Sequence, residues 1–190
     1  MNAPDDRTRL GFVRNVRETF TYLTNEGFAE IEALPTLVRF RKGEVEVDIY
    51  HGRQSYEIGG GVKVAGVRYS MSEIVRATDP EVARSYRNYV ATTTEEVSAG
   101  LKELSALVRR YGARVLQADR PFCLKLEKQR ERWADEYALD VLETQLRPQA
   151  EQAFRRGDYS RAAELYGRIR ERLTPAEAKK LAIADERRRD

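Results

Sequence analysis

The side chains able to do chemistry near neutral pH are few, and several crowd one stretch. Asp48-Ile49-Tyr50-His51-Gly52-Arg53, followed by Glu57, holds two carboxylates, a guanidinium and the one histidine of the chain. An imidazole that titrates near neutrality can serve as acid or base. Asp48 and Glu57 could share a magnesium ion if neighbouring strands turned them the same way. These four residues, Asp48, His51, Arg53 and Glu57, form a candidate polar cluster. The bland alternative is a turn histidine facing solvent beside the wet side of an exposed strand.

Other chemistries lack parts. One His and one Cys cannot supply the four ligands of a structural zinc site; a carboxylate magnesium site stays open, and no metal or cofactor is assigned. Cys123 sits between Phe122 and Leu124, where a thiol packs rather than reacts, and this argues against a Cys123–His51 dyad. Gly59-Gly60-Gly61 invites comparison with phosphate loops, which need a helix and a Lys-Ser/Thr pair to follow. Here Val62-Lys63-Val64 continues a strand, so a bulge or bend is expected. A restriction-type nuclease would need a lysine two residues after its second carboxylate. Glu57 is followed by Ile58 and Gly59, which leaves that role empty.

The elements that must position these residues start with a ribbon. Val45, Val47 and Ile49 alternate with Glu44, Glu46, Asp48 and Tyr50, the period of a strand with one dry face. Val38 and Phe40 precede it across a Lys42-Gly43 turn, and Tyr56, Ile58, Val62 and Val64 follow. An antiparallel sheet of three or four strands is predicted. A first helix from Asp5 or Asp6 carries Leu10, Val13, Val16, Phe20 and Leu23 on one stripe. Ser70 with Glu73 makes a capping box for a helix over 71–77. Pro80 opens another, with Tyr89 and Val90 on its apolar side. Val97, Leu101, Leu104, Val108 and Tyr111 mark a helix packed across the sheet, ended by Gly112. Val115-Leu116 reads as a short strand or extended link. A long helix from Asp119 should break or kink near Arg147, before Pro148, with shorter pieces after it, the last capped by Thr174 and Glu177. The expected organisation is α+β: an α+β domain over 1–118 and a helical segment over 119–190.

Within that segment, Ala153-Phe154-Arg155-Arg156-Gly157-Asp158-Tyr159-Ser160-Arg161-Ala162, with Tyr166 beyond, resembles the middle of a tetratricopeptide repeat. The resemblance covers about 25 residues and implies one helical hairpin. Ile169 stands where the family has alanine, and no second copy follows at the 34-residue period. A lone unit builds no peptide groove. The layout as a whole is similar in outline to uncharacterised bacterial α+β proteins and to small toxin-neutralising immunity proteins.

Charge and composition narrow the classes. Thirty-four basic groups face 31 acidic ones, and neither sign dominates any third of the chain, which weighs against a nucleic-acid protein. No apolar run reaches the roughly 20 residues that span a bilayer, and the first ten residues lack a signal-peptide core, so a cytoplasmic protein without a membrane partner is expected. The best reading is a protein-binding or regulatory module, in toxin neutralisation for example, without catalysis. Trp133, Tyr137, Phe154, Tyr159 and Tyr166 are its candidate contacts. The alternatives are a nucleic-acid-associated accessory protein, which would use arginine pairs such as Arg109-Arg110 and tyrosines Tyr50, Tyr56 and Tyr69, and a hydrolase or nuclease with an atypical carboxylate site. No small-molecule ligand is assigned.

Overall fold

A computed structural model describes residues 7–188 of the chain. The chain divides into two compact units, Met1–Gln129 and Arg130–Asp190, each with its own apolar core. The class is α+β, as the alternation and stripes imply. The proposed helix start at Asp5 or Asp6 lies outside the described residues.

The first unit is organised on an antiparallel meander. β1 (Ala29–Leu34), β2 (Leu37–Lys42), β3 (Val45–His51), β4 (Glu57–Val64) and β5 (Val67–Ser70) pair in chain order, and β6 (Tyr89–Val90) pairs with the start of β4. Six strands replace the expected three or four. β1 hid because its Ala and Glu residues favour helices, and because as an edge strand it leaves Ile31 and Leu34 exposed. β6 is two residues long and carries no period of its own. It forms where Tyr89-Val90 was expected to line a helix.

The glycine triplet holds no bulge. Gly59, Gly60 and Gly61 sit opposite Tyr50, Ile49 and Asp48 without a slip in register. The irregularity lies instead between β1 and β2, at Glu30 and Glu32.

Helices cover the dry face. α1 (Phe12–Thr19) and α2 (Thr21–Asn25) precede the sheet, and α3 (Met71–Thr78) and α4 (Pro80–Ser85) follow it. Next come α5 (Thr94–Tyr111) and α6 (Ala113–Leu116). The last of these replaces the expected extended link, since its carbonyls are satisfied locally at a helix end. The capping box at Ser70 and Glu73 forms in both directions, and so does one at Thr93 and Glu96. Along α5 the buried residues Val97, Leu101, Leu104 and Val108 keep the helical spacing. Each such side chain contributes about 1.5–3 kcal/mol when fully removed from water, so α5 anchors the layer.

α7 (Arg120–Arg155), α8 (Tyr159–Arg168) and α9 (Pro175–Arg187) complete the chain. The first turns of α7 place Phe122, Cys123 and Leu126 in the core of the first unit. The division therefore falls after Gln129, later than the expected 118/119 boundary. Pro148 does not end α7. Leu146, Ala150 and Ala153 are buried on either side of it while Pro148 itself is exposed, so packing carries the helix past the missing N–H. The box at Thr174 and Glu177 caps α9 in both directions.

After α6 the backbone turns at Ala118, whose φ is +54°. Asp119 N–H donates to Arg114 O and Ala118 N–H to Val115 O, each at 2.9 Å, which is a Schellman closure with alanine in the place glycine usually takes. A left-handed alanine costs roughly 1–2 kcal/mol, part of it offset by the extra unfolded-state freedom of glycine. Ala118→Gly should therefore raise unfolding stability by about 1 kcal/mol. A urea midpoint that stays put or falls would contradict this account of the turn.

Candidate functional site

The sheet separates the polar cluster that the sequence suggested. Successive strand residues point to opposite faces, so Asp48 and His51, three apart on β3, belong to different sides. His51 is 1% exposed and lies in the first core. Its Nε2–H donates to Ala91 O at 2.8 Å, which places the proton on that nitrogen. Phe12 stacks on the imidazole at 5.9 Å and Tyr56 meets it edge-on at 5.9 Å. The expected solvent-facing turn histidine is thus a core group that ties the end of β3 to the segment after β6. Cys123, also buried, lies against Tyr69 and Glu127, and burial pushes its thiol up. His51 and Cys123 are held by different partners.

Asp48 lies on the wet face with Tyr50 and Glu57. Arg68 grips Asp48 with both ends of its fork, Nε to Oδ1 at 2.9 Å and Nη2 to Oδ2 at 2.6 Å. This bond is the main reason the Arg68 guanidinium titrates higher than usual. The glycines explain the geometry. A Cβ on Gly61 would stand 2.8 Å from the Arg68 guanidinium carbon and 2.8 Å from Tyr69 O, and one on Gly59 would collide with the Tyr50 phenol. Gly59 and Gly61 are a flat floor that lets Tyr50 and Arg68 lie down on the strand. Arg53 stands in the exposed turn between β3 and β4. The four candidates therefore form no single reaction centre.

The rest of the wet face is a ladder of ion pairs. Arg39 meets Glu32, Arg41 meets Glu46, and Lys63 reaches the other oxygen of Glu46 at 3.4 Å. Arg41 is the main cause that holds the Glu46 carboxyl below its usual range. These cations are already matched by acids. The tyrosines named for base stacking are dispersed too: Tyr69 is buried, Tyr56 touches His51, and Tyr50 lies beside Arg68.

A cleft that no motif announced opens elsewhere in the first unit. It has a volume of about 1010 Å³, with Tyr22, Phe28, Lys42, Val108, Arg109 and Leu116 among its walls. The Arg109 guanidinium lies 4.0 Å from the Tyr22 ring centre. Burial, opposed by Ser105 and Arg109, pushes the Tyr22 phenol up to about 12. Sequence reading missed this place because its walls come from α2, the β2–β3 turn, α5 and α6.

In the second unit most of the candidate aromatics are structural. Tyr166 is fully buried and donates to Glu151 at 3.0 Å. Phe154 and Tyr159 are half-buried and meet edge-on at 5.7 Å. Gly157, with φ +78°, and Asp158, which accepts from Arg161 N–H, form the corner between α7 and α8. The two helices meet at this corner, with Tyr166 of α8 against Glu151 of α7. Trp133 is partly exposed. Tyr137 is 71% exposed on α7, with Val141 one turn further on at 37%.

The arrangement defines an α+β chain with a six-stranded antiparallel sheet and a separate helical unit. Comparison with protein-family models, with curated proteins and with solved structures finds no match to this chain. Among the described residues no helix is long and apolar enough to cross a membrane, and no three His, Cys, Asp or Glu residues gather as metal ligands.

Two consequences can be measured. His51→Leu keeps the bulk but leaves Ala91 O without its donor, and should cost about 1–3 kcal/mol. Asp48→Asn on the wet face should cost less than about 1 kcal/mol. Equal losses in chemical denaturation would refute the division of labour between the faces. In the second unit, Lys180, then Tyr166, hold the Glu151 carboxyl below its ordinary 4.5. Its contribution is present above that value and is lost as pH falls through the depressed native one. Glu151→Gln should therefore lower the melting temperature at pH 7, and the gap to wild type should close as the pH drops below 4. A gap that persists in acid would contradict this.

Proposed function

We propose that the chain is a binding module for another protein, engaged through α7 at Trp133, Tyr137 and Val141. The observation that carries this reading is the exposure of Tyr137. A tyrosine ring at 71% exposure, with Val141 and Trp133 four residues to either side, presents an apolar stripe to solvent. Residues four apart share a helix face. Tyr137 and the buried Leu146 are nine residues apart, about half a turn out of phase. Asp135, Glu136 and Asp140 neighbour the stripe, so the complementary patch is apolar with a basic rim. Aromatic anchors of this type dominate interface energetics. A regulatory or toxin-neutralising role fits such a module, and the segregated polar cluster supports binding over catalysis.

The test compares proteins retained from a lysate of the source organism by immobilised wild type and by Tyr137→Lys. Removal of an anchor should cost about 2 kcal/mol or more, so the specifically retained protein should disappear from the variant, whose circular dichroism should be unchanged. Identical retention by both forms would refute α7 as the contact.

A further inference from the structure

We propose that the cleft bounded by α2, the β2–β3 turn, α5 and α6 binds a small apolar monocarboxylate, oriented by Arg109 with Lys42 as a second donor. Its volume of about 1010 Å³ is at the upper end of small-molecule clefts and admits an aryl acid without being filled by it. Val45, Val108, Ala113 and Leu116, with the Tyr22 and Phe28 rings, give it an apolar lining.

Arg109 is the reason to name an acid. Its guanidinium is stacked on Tyr22 at 4.0 Å, and among the described residues no carboxylate pairs with it. A guanidinium held over a ring by its carbon still has N–H donors for the two oxygens of a carboxylate. Lys42 donates to Glu26 O at 2.7 Å and stands 5.7 Å from the Phe28 ring centre. An ammonium has three donors, so that one bond leaves two for a ligand. The contrast with the wet face is direct, because Arg39, Arg41, Lys63 and Arg68 are each matched there by an acid.

Charge limits what enters. Glu26 and Glu44 also line the cleft, so two acids balance its two cations. Such a site has no strong positive field and does not favour a phosphate dianion or a polyanion. A single carboxylate on an apolar body meets both requirements. The body is buried against the lining, which supplies most of the affinity, and the charge fixes which end faces Arg109. The Tyr22 phenol, pushed up to about 12, stays neutral at physiological pH and adds no repulsion.

Calorimetric titration of the full chain tests this with 2-naphthoate, its neutral analogue 2-naphthalenemethanol, and inorganic phosphate. The expected result is saturable one-to-one binding of naphthoate, about tenfold tighter than the alcohol, a difference worth about 1.4 kcal/mol. Phosphate should give no saturable binding. Arg109→Met keeps the stacked bulk and should bring naphthoate to the level of the alcohol. Ala113→Trp fills the cleft from an exposed position and should abolish both. Tyr137→Lys should leave all three results unchanged, which separates this site from the α7 contact. The inference is overturned if neither aryl compound binds saturably below about 1 mM. It is equally overturned if phosphate matches naphthoate, or if Arg109→Met leaves the preference for the acid intact.

Discussion

The pairing of β3 with β4 decides what the polar residues of the first unit can do. Each strand step reverses the face, so parity along the chain becomes chemistry. Val45, Val47, Ile49 and His51 share the dry side, and Glu46, Asp48 and Tyr50 the wet one. A slip of one residue would bury Asp48 and expose the valines, which the core cannot tolerate. Helix α5 fixes that choice by packing Leu104 against the strand at Gly60. Separation of the imidazole from the carboxylates therefore follows from the same constraint that builds the core.

Given that constraint, the wet face satisfies itself. The bidentate Asp48–Arg68 pair is possible because Gly59 and Gly61 remove the side chains that would hold Tyr50 and Arg68 off the strand. Exposed ion pairs contribute little stability each, about 0–1 kcal/mol. Their larger effect is to match Arg39, Arg41, Lys63 and Arg68 with acids on that face. The cleft at Arg109 is different because its cation lies over an aromatic ring and, among the described residues, forms no ion pair.

Much of this was legible in the sequence, for stated reasons. The alternation of β3, the stripe of α5 and the capping boxes at Ser70, Thr93 and Thr174 are local signals, and local hydrogen bonding enforces them. What stayed hidden depends on distant partners. His51 reads as a turn residue until Ala91 O, forty positions later, supplies its acceptor. Pro148 reads as a breaker until Leu146 and Ala150 are seen to be buried around it. β6 exists only because β4 offers it an edge. The cleft was invisible for the same reason, since none of its walls carries a motif.

The second unit shows why aromatic residues cannot be sorted by type alone. Phe154, Tyr159 and Tyr166 are claimed by the hairpin: the Tyr166 hydroxyl meets Glu151, and Lys180 reaches both Glu151 and the Phe154 ring. Burial of Tyr166 is tolerable because its polar end keeps a partner. Tyr137 has no such place. Its phase on α7 turns it away from Leu146 and Ala150, so no rotation of the side chain brings it into that core. Nearby acids keep the stripe hydrated in the free chain, and they would also have to be matched by any surface that covers it. The same helix thus serves the core with one set of residues and solvent with another, and only the second set remains available to a partner.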